Sequence, residues 1–419
     1  MKFDYSKLQP ETRHLTNGVP VYGFPDSELE LVRLEFIFEA GSYFQQKAMQ
    51  AAACCSLIGA GTRHFTADAL SEQLDYYGAY IERYPDRDQA SVVFYCLSRY
   101  FEQIIPFCQE ALKHSVFPQE EIDTYLRKNH RRFLVNNRKV SEVSRRAFYS
   151  LVFGPGHPYG RVVEESDFAA LKREDLTGFY KRYYVSENCK IVLAGGYTER
   201  HLKLLDQSFG GGDWSGAAAD LLAGEGMQVF LPAERRKDIE MKDSLQASVR
   251  IGMPICSFKD EGFADFKIAD YVLGGYFGSR LMRNIREEKG YTYGISSYIV
   301  PLRYKPVWMI SSEVKADCVR KVFVEIEKEI SALQKKEIPV SELELVRQSF
   351  MGDFMRDLDG TFDIAERMKF FIQCGIGPEF YQRNEETLFS ITPAQIRRTA
   401  IRWFDLNNFC SVTVGAGDL

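Results

Sequence analysis

Histidine is scarce in this chain and is nowhere arranged to hold a metal. His14, His64, His114, His130, His157 and His201 include no pair at the i, i+4 spacing that puts two ligands on one helix face. The nine cysteines form no C-x-x-C, are odd in number and are scattered, which favours reduced thiols over a disulfide framework. Most sit in apolar runs such as Ala52-Ala53-Cys54-Cys55, which reads as buried thiols in a reducing compartment. No run approaches the roughly eighteen apolar residues of a membrane-spanning helix. The opening Met1-Lys2-Phe3-Asp4-Tyr5-Ser6-Lys7 lacks an apolar signal core, and the expectation is a cytoplasmic protein without a transit segment. A net charge of −5 gives no general attraction to nucleic acid or anionic lipid.

The chain does have length and aromatic content. Its 419 residues call for two or three domains. Its 31 Phe and 23 Tyr are enough either to fill large cores or to line a peptide chamber. Residues 210–226 are rich in Gly and Ala and lack either helix or strand periodicity, which marks a linker near the midpoint. The expected division is therefore 1–212, a linker 213–226, and 227–419.

That midpoint prompts a search for duplication, and one is present. Residues 171–196 and 391–416 match at a constant offset of 220. Leu171 meets Ile391, Leu176 meets Ile396, Tyr184 meets Phe404, and Asn188 meets Asn408. Both segments read as a helix, an Asn turn and a short β-branched strand. The openings of the two halves also correspond. A strand at 32–38 precedes helices at 46–58 and 67–78, and a strand at 247–252 precedes helices at 262–273 and 279–289. Strands at 78–96 and 291–314 follow, then helices at 98–113, 118–136, 318–335 and 340–358. The expected fold class is α+β, in two similar halves. Each half has a mostly antiparallel sheet with helices packed on one face, and the pair would form half of a clamshell chamber.

The run Leu273-Gly274-Gly275-Tyr276-Phe277-Gly278-Ser279-Arg280-Leu281 continues to Arg286-Glu287-Glu288-Lys289-Gly290-Tyr291-Thr292-Tyr293. This stretch resembles a segment of the pitrilysin and mitochondrial-processing-peptidase family of zinc peptidases. The run Gly156-His157-Pro158-Tyr159-Gly160-Arg161 resembles another feature of that family. The resemblance implies that Arg286 and Tyr293 are the family's Arg/Tyr pair, which binds substrate and stabilises the transition state. A guanidinium and a phenol are fixed donors suited to charge building on a carbonyl oxygen. Without the motif, Arg286 reads as a helix charge and Tyr293 as a strand aromatic.

The same resemblance calls for an inverted zinc motif, H-x-x-E-H, shortly before Gly61-Thr62. Its positions fall on Ala52-Ala53-Cys54-Cys55-Ser56. Both His positions become Ala52 and Ser56, and the catalytic Glu position becomes Cys55. No acidic residue occurs from Thr124 to Ser141, where the family's third ligand lies, and Arg127, Lys128, Arg131 and Arg132 stand there instead. The family's strand after the second helix is altered to Tyr80-Ile81-Glu82-Arg83-Tyr84-Pro85. A substitute site from Cys54, Cys55 and His130 is disfavoured, because adjacent cysteines point to different helix faces.

The expectation is a bacterial chain that binds no metal itself. It would be the non-metal subunit of a heterodimeric zinc peptidase acting on short or unfolded peptides, with zinc in a homologous partner subunit. The alternative is a catalytically inactive scaffold or peptide-binding protein of the same fold.

Overall fold

The computed structural model describes residues 4–216, 228–229, 232–242 and 244–415. Within these the chain folds into two compact units, each built on one sheet. The first sheet contains β1 (Glu11–His14), β2 (Pro20–Pro25), β3 (Leu31–Phe38), β4 (Tyr80–Pro85), β5 (Ala90–Leu97) and β6 (Cys189–Gly195). Its order is β1-β2-β6-β3-β5-β4, antiparallel except for the β2–β6 pair. Alternation along β3 sends Val32, Leu34, Phe36 and Phe38 into the core against helices Gln50–Ser56, Phe101–Lys113 and Arg173–Tyr183.

The opposite face of β3 is polar yet also buried. Arg33 pairs with Glu35 at 2.7 Å and with Glu366 at 2.6 Å, and Lys369 approaches Glu35 at 3.6 Å. Glu366 and Lys369 lie on helix Thr361–Cys374, which covers this face. Thr361 and Gln373, at its two ends, donate to Asp26 and Asp88 at 2.6 and 2.9 Å.

The second sheet contains β7 (Arg236–Glu240), β8 (Gln246–Pro254), β9 (Thr292–Val300), β10 (Val307–Lys315) and β11 (Cys410–Gly415), in the order β7-β11-β8-β10-β9. The order repeats that of the first sheet without β1. The closing strands β6 and β11 each pair one neighbour in parallel, β2 or β7, and one antiparallel, β3 or β8. The duplication seen at the offset of 220 is thus a duplication of sheet topology, and the α+β class is as expected.

The compact units are not continuous stretches of chain. Helix Val140–Phe153, from the first half of the chain, packs on β8 and β11 of the second unit. Ser144 exchanges a hydroxyl hydrogen bond of 2.7 Å with Ser248, and Arg250 donates to Ser144 at 3.0 Å. Gly252 leaves room for Phe148, whose ring would stand 3.1 Å from a Cβ there. Conversely, residues 358–373 belong to the first unit. Of the expected linker, 213–216 are described: Trp214 is buried in the first core and donates to Tyr184 O at 2.9 Å. Residues 217–226 lie outside the described residues.

Candidate functional site

Arg286 and Tyr293 both belong to the second unit. Helix Phe263–Asp270 continues into a wide π turn, Tyr271–Gly275, and a second π segment, Met282–Glu288, carries Arg286. Such segments shift the side chains that follow onto another face and recur at functional sites. Two neighbours anchor this one. Arg280 makes a two-pronged pair with Glu342, both bonds 2.8 Å, and Asn284 donates to Glu325 and Glu329 at 2.8 and 2.6 Å. Gly290, at φ +63°, ends the segment in the left-handed conformation a helix terminus needs.

Arg286 is treated differently from Arg280. No carboxylate pairs with it among the described residues, and its guanidinium lies over the Phe277 ring at 4.6 Å. The guanidinium is therefore held by a ring face, with its N–H donors unspent.

Tyr293 lies on β9, which is an edge strand and packs against the π segment. The β9–β10 register shifts here, with Ser312 opposite Ile295 and Val314 opposite Thr292. Tyr293 and Gly294 thus face Glu313 as a bulge, a device that re-aims a side chain. Hydroxyls stabilise it: Thr292 Oγ1 reaches Glu313 O at 2.6 Å, and Ser312 Oγ reaches Gly294 O at 2.8 Å. The outcome is a tyrosine 89% exposed, directed off the sheet edge.

The positions of the altered metal motif lie in the first unit, on helix Gln50–Ser56. Ala52 and Ser56 are partly exposed on one face, and Cys55 is fully buried. Burial pushes the Cys55 thiol up to about 12, against the opposing pull of Tyr184 and Arg83. Such a thiol stays protonated near neutral pH and is a poor nucleophile. Cys54 and Cys55 have different neighbours, Leu176 O at 3.9 Å and Ser91 O at 3.8 Å. His130 instead pairs with Glu165 at 2.9 Å. Among the described residues no group of three or more His, Cys, Asp or Glu is placed to hold a metal. Alanine, a buried thiol and a serine, with a guanidinium beside them, do not fit a zinc ion.

The structure adds residues that sequence reasoning did not assign. Arg83, on β4, donates from Nε to Ile58 O at 2.5 Å, at the end of the altered-motif helix. Burial pushes the Tyr125 phenol of helix Gln119–Asn136 up, against the opposing influence of Ser56 and Arg132. Phe277 stood inside the quoted motif, but only the geometry reveals its contact with Arg286. For Arg83 the signal was present: β-strand alternation puts it on the face opposite Glu82.

Comparison with known proteins covers both sequence and fold. Residues 170–350 match the family model described as the peptidase M16 inactive domain. A Bacillus subtilis protein named as the uncharacterised zinc protease YmxG is 20% identical over 303 residues, 72% of each chain. Subunit 1 of the mouse mitochondrial cytochrome b-c1 complex is 23% identical over 148 residues, 35% of this chain and 30% of that one. The crystal structure of a peptidase M16 inactive domain from Pseudomonas fluorescens is similar with a TM-score of 0.88 at 19% identity, covering 98% of each chain. That likeness establishes the fold. Among the described residues no helix is long and apolar enough to cross a membrane.

Proposed function

We propose that this chain, which through residues 170–350 belongs to the peptidase M16 inactive-domain family, is the non-metal subunit of a two-chain zinc peptidase. One observation carries the reading. The second unit presents an arginine with no carboxylate partner among the described residues and a tyrosine exposed at a bulge, whereas the first unit's metal positions hold Ala52, Cys55 and Ser56. Arg286 and Tyr293 supply N–H and O–H donors to a substrate carbonyl oxygen as charge builds on it. A homologous partner supplies the zinc chemistry. The free edge of β9 suits an extended peptide, which can add its backbone to the sheet. The buried free cysteines are consistent with a bacterial cytoplasm.

The test mixes the chain with a homologous zinc-bearing subunit and follows cleavage of an unfolded peptide. Neither chain alone is expected to turn over at the mixture's rate. Arg286→Ala and Tyr293→Phe should each lower kcat by about a hundredfold, the usual loss when one such donor is removed. Cleavage that survives the double substitution unchanged would remove the role.

A second reading is supported by the match to the cytochrome b-c1 subunit, which is named as part of a multisubunit complex. In that reading the chain is a scaffold, and Arg286 and Tyr293 are docking contacts. Purification of a stable assembly that contains no zinc-bearing relative would favour it.

A further inference from the structure

An open cavity of about 660 Å³ lies in the second unit, formed by the loop 255–262, the turn 375–378 and helix Glu379–Ser390. Its volume is in the range of pockets that hold small molecules. Glu379, Gln382, Arg383 and Glu386 follow the i, i+3, i+4, i+7 spacing, so one face of the helix lines it. Lys259 lines it from the loop. Phe380 is also a lining residue. Its buried ring packs on Phe263 at 5.7 Å and on Phe258 at 6.0 Å, so this wall is rooted in the core of the unit.

Two cations are placed here. Gly375 takes φ +61°, and a Cβ there would stand 3.0 Å from Lys259 Nζ. The bare backbone of the turn thus lets the ammonium approach closely. Arg383 donates from Nη2 to Phe258 O at 2.7 Å, next to Lys259 in the chain, and its enclosed Nε has no partner. Two carboxylates line the same space. Glu379 Oε1 accepts from Gly377 N at 2.9 Å, and Glu386 Oε1 accepts from Gln382 Nε2 at 2.8 Å. Among the described residues none of these four charges makes an ion pair, although both signs border one cavity. A ligand with a single charge would be attracted by one pair and repelled by the other. A ligand with both charges can satisfy both pairs.

We propose that this cavity binds a zwitterion, either a free amino acid or a short peptide. The ligand's carboxylate meets Lys259 and Arg383, its ammonium meets Glu379 and Glu386, and an apolar side chain rests against Phe380 and Ile376. The site shares no residue with Arg286 and Tyr293 and does not depend on the role given to them.

The test is isothermal titration of the full chain with leucine and with leucyl-leucine. Each is compared with its N-acetylated form and with its C-terminal amide. The zwitterion should bind roughly tenfold tighter than either blocked form, the loss of one set of charge-assisted bonds. A preference seen with leucine alone identifies a free amino acid as the ligand, and one seen with the dipeptide alone identifies a peptide. Lys259 and Glu386 are exposed, so their substitution should leave thermal melting unchanged. Lys259→Glu should erase the preference for the free acid over the amide and keep that for the free amine over the acetylated form. Glu386→Lys should do the reverse. Arg286→Ala with Tyr293→Phe should keep both preferences. No binding of either zwitterion at millimolar concentration would overturn the proposal, as would equal affinity for zwitterion and blocked forms. Preferences that persist unchanged in folded Lys259→Glu and Glu386→Lys would overturn it equally.

Discussion

The Arg286 guanidinium rests over the exposed ring of Phe277, 4.6 Å from its centroid. Arg280, just before the segment that carries Arg286, is instead locked to Glu342 through two of its nitrogens. An aromatic platform orients a guanidinium without consuming its donors, and at an exposed site it contributes about 0.5–1 kcal/mol. On the role proposed for Arg286, Phe277 positions its guanidinium. With a zinc-bearing partner present, Phe277→Ala should lower kcat/KM on the order of fivefold, and Phe277→Trp should preserve it. If Ala and Trp variants behave alike, the ring has no positioning role.

The buried pair Arg33–Glu35 offers a test of the packing that helix Thr361–Cys374 completes. Glu35 is wholly buried, and Arg33 is nearly so. Removing one partner strands the other charge in a dry site, and Lys369 at 3.6 Å compensates Glu35 only in part. Arg33→Met alone should cost about 3 kcal/mol in urea unfolding, and adding Glu35→Leu should recover most of the loss. Glu366→Gln should cost under about 1 kcal/mol, because that carboxylate is half exposed. A double variant as unstable as Arg33→Met would show that the pair itself holds the sheet face together.

What the sequence disclosed and what it hid divide along physical lines. The offset of 220 marked positions with the same local role: β6 and β11 each follow a turn built on Asn188 or Asn408, and each lies inside its sheet. Long amphipathic helices such as Val319–Lys335 were legible from period alone. The short, largely exposed β7 carried no such pattern, so its parallel pairing with β11 was not anticipated. Nor does an apolar helix face say which sheet it will cover, and helices Val140–Phe153 and Thr361–Cys374 each joined the unit built mainly from the other half of the chain. The motif located Arg286 and Tyr293, but the π segment and the bulge that aim them depend on backbone geometry that residue types do not encode. Arg83 was named only as a departure from a family strand; its bond to Ile58 O at the end of helix Gln50–Ser56 appears only in three dimensions.

Asp270 sets a pH dependence that can be worked out in sign. It is buried beneath β10, accepts from Trp308 Nε1 at 2.6 Å, and its carboxyl is raised from 3.8 to about 6 by desolvation, against the opposing hydrogen bonds of Ser297 and Trp308. The native state therefore holds this proton more tightly than the unfolded chain does. Between about pH 4 and pH 6 the unfolded chain has released the proton while the native chain keeps it, so this group's contribution to stability falls as pH rises and is constant above that window. The gap between the two values corresponds to about 3 kcal/mol. Asp270→Asn keeps an oxygen acceptor for the Trp308 N–H but cannot ionise. Urea unfolding of both proteins across this window should show the variant gaining on the unmodified chain by about 3 kcal/mol from the acidic end to neutrality. A stability difference that stays constant with pH would mean that Asp270 ionises in the fold as readily as it does in the open chain.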